Sequence, residues 1–187
     1  MKKITIIGAG SWGTTLAVLL GEKGFDVKLW ARREELANEI EAKRENVQYL
    51  PGIKIPKNVI ADHSLKDAIS NSEIIITTIP SEFLRSAIKQ IKPYFKNQII
   101  VSATKGLEHH SCKRMSQVIG DELGNARIAV LSGPNHAEEV SSKMPTASVV
   151  ASKDKKACKT VAEALATPYF KIYQLNDVVG VEICGAL

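Results

Sequence analysis

Three observations predict an α/β fold with a doubly wound, mostly parallel sheet and helices on both faces. Strand-like and helix-like segments alternate along the chain. The strand segments are short apolar runs such as 4–7 and 73–79, the pattern of strands buried in a parallel sheet. The first run enters three glycines, Gly8, Gly10 and Gly13, in the spacing G-x-G-x-x-G, and a helical pattern follows directly. Strand, glycine loop and helix together describe a Rossmann-type cradle for a dinucleotide pyrophosphate. Gly8 permits the tight turn, Gly10 admits phosphate to the bare backbone, and Gly13 lets the helix pack close to the sheet. The helix N-terminus then offers unpaired N–H groups to the anion.

The elements follow in order. After the strand at 4–7, a helix is expected over 11–23, with Leu16, Ala17, Leu19 and Leu20 on one face and Gly24 as its stop. Residues 26–31 make a second strand and 34–43 a charged helix. Pro51, Gly52 and Pro56 mark 46–60 as an irregular excursion. A short helix over 64–70 is capped by Ser64, with Asp67 three residues on. Strands are expected at 73–79, 98–103, 127–131, 146–151 and 170–174, and helices at 82–91, 112–123 and 155–166. The segment 132–139 reads as a turn leading into a helix start. Asn176 and Asp177 resemble a helix cap before the apolar run 178–187.

Bulk properties narrow the function classes. The 187 residues are 44% hydrophobic, enough for one domain with a sizeable core and no sign of disorder. The net charge of +5 is scattered and aromatics are 5%, so the stripe of a nucleic-acid binder is missing. Three cysteines, Cys112, Cys158 and Cys184, have no C-x-x-C spacing, which argues against a disulfide framework or structural zinc and fits a reducing cytosol. Met1-Lys2-Lys3 before an apolar run imitates a signal peptide, but the glycines interrupt that run. No run reaches the roughly 20 apolar residues of a membrane helix. A cytoplasmic protein without nucleic-acid, membrane or metal partners is expected.

Ligands of such sheets lie at the carboxyl ends of strands, where strand order reverses. That rule selects residues 8–13, Arg32-Arg33, Pro80-Ser81, 104–106 and 132–137. The second strand ends in Trp30-Ala-Arg32-Arg33, with no carboxylate before Glu34 to accept from a ribose 2′-OH. Two guanidiniums suit a 2′-phosphate, which favours NADPH, with NADH as the alternative. Placing arginines at a helix N-terminus opposes the macrodipole, which an anionic partner would offset. Lys105, just beyond a buried strand, suits an ammonium that stabilises charge on a substrate oxygen. His136 reads as a helix-start residue packed on its loop, His109-His110 as loop residues without a role, and Cys184 as a small buried hydrophobe.

These residues also carry a resemblance. Gly8-Ala-Gly-Ser-Trp-Gly-Thr14, Leu29-Trp-Ala-Arg-Arg33, Tyr49-Leu-Pro51, Ile79-Pro-Ser81, Ala103-Thr-Lys-Gly-Leu-Glu108, Ser132-Gly-Pro134 with Ala137 and Glu139, and residues 180–187 occur in the order seen in bacterial NAD(P)-dependent glycerol-3-phosphate dehydrogenases. The sequence resembles that family over nearly its whole length. The resemblance implies hydride transfer from NAD(P)H to dihydroxyacetone phosphate, giving sn-glycerol 3-phosphate for phospholipid synthesis. It implies that Ser11, Trp12, Arg32, Arg33, Lys105 and Ala137 contact the cofactor beside Gly8, Gly10, Gly13 and Pro80. Lys105, Gly133 and Asn135 are implied to reach the substrate, and Lys105 to act in catalysis. Many family members carry Ser or Thr at position 135, so the amide of Asn135 is a departure there.

The resemblance further implies a proton-transferring lysine directly after Leu187, in a helix that opens an all-helical substrate domain. On that reading residues 1–176 are the cofactor domain and 177–187 the beginning of the second. The chain by itself is expected to bind cofactor with little turnover, and the full-length enzyme to be a homodimer. Two alternatives stand beside this: another NADP-linked reductase of the same two-domain type, and a non-catalytic dinucleotide-binding module.

Overall fold

The computed structural model describes residues 3–186. Isoleucine-rich runs form its centre because both sides of each strand are covered. In β1 (Lys3–Ile7) the side chains of Ile4 and Ile6 join one apolar cluster and Ile7 the other. The same alternation separates Ile74 and Ile76 from Ile75 in β6 (Ile74–Thr77), and Ile99 and Val101 from Ile100 in β7 (Ile99–Ser102). A strand buried on both faces leaves no polar alternation, so its sequence reads as a continuous apolar run.

The remaining strands are β2 (Asp26–Trp30), β5 (Val59–Asp62), β8 (Arg127–Ser132), β9 (Thr146–Ala151) and β10 (Phe170–Leu175). They complete an eight-stranded sheet in the order β10-β9-β8-β7-β6-β1-β2-β5. All neighbours are parallel except β8 and β9. The chain runs outward from β1 through β2 to β5, then returns to lay β6 on the other side of β1. The order therefore reverses between β1 and β6, and a crevice opens there at the strands' carboxyl ends. Helices α1 (Ser11–Glu22), α2 (Glu34–Lys43) and α7 (Lys155–Leu165) cover one face. The other carries α3 (Leu65–Ile69), α4 (Ser81–Ile91) and α5 (Met115–Leu123). The short α6 (Ala137–Ser141) follows β8, and α8 (Val178–Ala186) follows β10.

Ser64 caps α3 as expected, its side chain accepting from the Asp67 N–H at 3.3 Å. Three expectations are corrected. The excursion at 46–60 is ordered: β3 (Glu45–Asn46) and β4 (Leu50–Lys54) pair antiparallel, and β5 joins the main sheet. Pro51 and Gly52 are tolerated in β4 because that strand pairs on one side only. The helix expected from 112 starts at Met115, because Cys112 sits at φ 53 in a turn closed by a bridge between Leu107 and Arg114. Cys184 is exposed, since it borders an open hollow shared with Ser132, Val149 and Leu175 at the sheet's end. Leu187, the last residue of the expected terminal helix, lies outside the described residues.

Candidate functional site

The glycine loop is shaped by contacts that a side chain would break. Gly8 has φ 119, and its N–H donates to the Trp30 carbonyl at 3.1 Å. A Cβ there would stand 2.8 Å from Ile79 Cγ2 and 2.9 Å from Thr78 Oγ1. A Cβ on Gly13 would run into the Gly8 carbonyl oxygen, so only glycine lets α1 lie this close to the loop. Gly10 differs: nothing stands within 4 Å of the side chain it lacks. The backbone is thus bare on the side where a pyrophosphate would approach. Gly10 gives α1 no side-chain cap, and the first helical bond runs from Thr14 N–H to the Gly10 carbonyl at 2.9 Å. The N–H groups of Ser11, Trp12 and Gly13 precede it at the positive end of the helix.

A second segment holds this loop in place. Fully buried Asn46 donates from Nδ2 to the Ala9 carbonyl at 2.9 Å and to Thr14 Oγ1 at 2.8 Å. Ser11 Oγ donates to the Tyr49 carbonyl at 2.7 Å. The β3–β4 hairpin is therefore a fastening for the cradle.

Two cavities meet at this point. One, of about 370 Å³, lies towards β2 and is walled by Trp30, Arg32, Arg33, Tyr49, Phe83 and the glycine loop. No carboxylate lines it. The Arg32 guanidinium carbon is 5.8 Å from the centre of the Phe83 ring, and Arg33 Nη2 donates to Gln48 Oε1 at 2.5 Å. The other, of about 450 Å³, lies towards β7 and β8 and is walled by Trp12, Thr104, Lys105, Gly133, Asn135 and Ala137. Gly10, Thr78, Ile79 and Pro80 border both, so one elongated ligand can pass from the first to the second. A larger hollow of about 550 Å³ sits at the opposite, amino ends of the strands, beside Glu73, Gln98 and Arg127, and contains none of the expected site residues.

The catalytic candidates gather in the second cavity. Lys105 follows β7, and its Nζ donates to the Gly133 carbonyl at 3.0 Å across the end of β8. A Cβ on Gly133 would stand 2.8 Å from Ser148 Oγ. Asn135 is tied to the sheet: Nδ2 donates to the Ala147 carbonyl at 2.9 Å, and Oδ1 accepts from Ser148 Oγ. Its amide builds the wall of the cavity, and among the described residues Nδ2 makes this one bond. His136, expected to pack on its loop, is exposed as the residue preceding α6, so that reading is corrected. The His109 and His110 rings meet edge to face, and no group of three or more His, Cys, Asp or Glu among the described residues could hold a metal ion. No helix among those residues is long and apolar enough to cross a membrane.

Sequence comparison places this geometry among known proteins. The profile described as NAD-dependent glycerol-3-phosphate dehydrogenase N-terminus matches residues 3–158. The chain belongs to that family. It is 46% identical over 189 residues to a glycerol-3-phosphate dehydrogenase [NAD(P)+] of Chlorobium phaeobacteroides strain BS1, covering 99% of this chain and 57% of that protein. A protein of the same name from Clostridium tetani is 42% identical, over 100% of this chain and 54% of the relative. The crystal structure of glycerol-3-phosphate dehydrogenase from Coxiella burnetii superposes with a TM-score of 0.95 at 36% identity, over 98% of this chain and 57% of that one. The chain spans about half the length of these relatives.

The family segment 103–108 gains a structural reason at its last residue. Glu108 takes two hydrogen bonds from Arg85, at 2.6 and 2.8 Å, and Arg85 also binds Asp121 and Glu122 of α5. These pairs brace the loop that carries Lys105 against α4 and α5. The Arg85 guanidinium, helped by Ser111, pulls the Glu108 carboxyl down from 4.5 to about 2. A carboxyl with a depressed folded pKa contributes stability that is complete above its unfolded value and lost as pH falls through the folded one. Acid unfolding should therefore show a loss of stability from pH 4.5 towards 2 that is smaller in Glu108→Gln, where the share from this carboxylate is missing; superimposable acid profiles for the two proteins would refute the bracing role.

Proposed function

We propose that this chain is the cofactor-binding part of a glycerol-3-phosphate dehydrogenase that reduces dihydroxyacetone phosphate to sn-glycerol 3-phosphate with NADPH, NADH being the weaker alternative. The observation that carries the reading is the continuous crevice from the carboxylate-free Arg32–Arg33 cavity, past the bare backbone at Gly10, to Lys105 and Gly133. The residues fit the cofactor. Gly8, Gly10, Ser11, Trp12 and Gly13 hold the pyrophosphate at the start of α1. Arg32 and Arg33 hold a 2′-phosphate, and Pro80, Lys105 and Ala137 border the nicotinamide end. When bound, NADPH supplies the hydride for the ketone carbon.

Lys105 directs its ammonium at the substrate oxygen, where negative charge grows as the ketone is reduced. Gly133 and Asn135 shape the substrate end, Gly133 through its carbonyl and Asn135 through its remaining amide N–H. A lysine following Leu187, in the second domain's first helix, supplies the proton. Helix α8 (Val178–Ala186) begins that helix. The full-length protein works as a cytoplasmic homodimer that feeds glycerophospholipid synthesis.

The test is NADPH oxidation followed with dihydroxyacetone phosphate. The full-length protein should turn over, and residues 1–187 should bind NADPH yet be slower by roughly 10²–10⁴-fold, the range for a lost general acid. Absence of oxidation by the full-length protein would reject the reaction. Fast oxidation by residues 1–187 would reject the need for a second lysine.

A further inference from the structure

Helix α8 is apolar along its length, and none of its residues is fully buried. Its only charged residue is Glu182, whose side chain is 8% exposed. That carboxylate accepts from Arg114 Nη1 at 2.5 Å, from Ser116 N–H at 2.7 Å and from Ser116 Oγ at 2.6 Å. It thus satisfies the start of α5 from a different element and ties α8 to it. One turn on, a Cβ at Gly185 would run into Ser132 Oγ, so α8 lies directly on the end of β8. Between these two points Glu182 and Gly185 close a space of only about 10 Å³ with Lys105, Gly106 and Ser132. On that side the Lys105 loop and α8 meet closely, and on the other Lys105 and Gly133 face Gly180, Val181 and Cys184 across an open hollow of about 540 Å³.

We infer that Glu182 is a positioning residue: its carboxylate sets the height and rotation of α8 against α5, and thereby fixes the gap between this helix and Lys105. Glu182 lines neither of the two cavities that form the cofactor crevice, so its loss should leave cofactor affinity nearly unchanged. Reacting groups misplaced by about 1 Å can lose roughly 10²-fold in rate. This inference rests on the proposed reaction for its kinetic test, and a second measurement is independent of it.

In the full-length protein, Glu182→Ala should lower kcat with dihydroxyacetone phosphate by roughly ten- to a hundredfold. The Kd for NADPH should stay within about threefold, since no cradle contact is lost. Glu182→Gln, which still accepts from Ser116, should recover most of the rate. In residues 1–187, hydrogen exchange should quicken by about tenfold or more at 104–107 and 178–186 in Glu182→Ala, and stay unchanged in α1. Unchanged kcat with unchanged exchange would overturn the inference. So would a loss of NADPH affinity in step with the rate, which marks general unfolding. If the wild-type protein fails to reduce dihydroxyacetone phosphate, the proposed reaction falls, and the exchange measurement still decides the role of Glu182.

Discussion

Lys105→Ala in the full-length protein is expected to reduce kcat/KM for dihydroxyacetone phosphate by roughly 10²–10³-fold, the loss typical of removing one preorganised donor to a developing oxyanion. The geometry explains why the effect should be large. Lys105 is held by the Gly133 carbonyl at 3.0 Å, on a loop that the Arg85–Glu108 pairs brace from behind. Its ammonium is thus preorganised before substrate arrives. NADPH affinity should change by no more than about tenfold, because only one hydrogen bond to the cofactor is at stake. Lys105→Arg should not restore the rate, since a planar fork cannot occupy the place of a compact ammonium. Steady-state kinetics with a direct NADPH titration checks this, and turnover within fivefold of wild type in Lys105→Ala would overturn it.

The double substitution Arg32→Ala/Arg33→Ala should weaken NADPH by about 10²-fold or more and leave NADH within about threefold. Each charge-assisted hydrogen bond to a 2′-phosphate is worth about 1.5–3 kcal/mol, and about 1.4 kcal/mol is tenfold in affinity. The two arginines are prepared differently. Arg32 lies beside the Phe83 ring, whereas Arg33 is already occupied by Gln48. Arg33 must leave that amide to reach phosphate, so Arg32 carries less reorganisation. Titrating both cofactors into residues 1–187 decides the matter. An equal loss for NADPH and NADH would mean the arginines act on the shared adenosine and not on the 2′-phosphate. The discrimination should also shrink with added salt, because the site opens to solvent.

Other parts of the site were less legible. Thr78, Ile79 and Phe83 wall the crevice because β6 and α4 bring them beside the glycine loop, some seventy positions away in the chain. Asn46 braces the loop through one buried amide, which nothing in its neighbours Glu45 and Val47 announces. At Asn135 the family resemblance implies a substrate contact, and the structure adds bonds to Ala147 and Ser148 of β9 that the residue's position in the sequence does not announce. Such roles depend on the distance between segments, which sequence spacing does not encode.

What the sequence by itself determined is the local chemistry with a fixed period or conformation. Apolar runs specified the two-sided parallel strands, and G-x-G-x-x-G specified the turn, the bare backbone and the helix start. The Arg32-Arg33 pair specified positive charge where a carboxylate would select the other dinucleotide. These are legible because each acts over a few neighbouring residues. Only the tertiary structure decided which distant pieces share a crevice: the hairpin that fastens the cradle, the Arg85 pairs behind Lys105, and the Glu182 strap on α8. The physical reason is that hydrogen bonds and ion pairs between remote segments form wherever packing brings the groups within about 3 Å, and that packing belongs to the whole sheet.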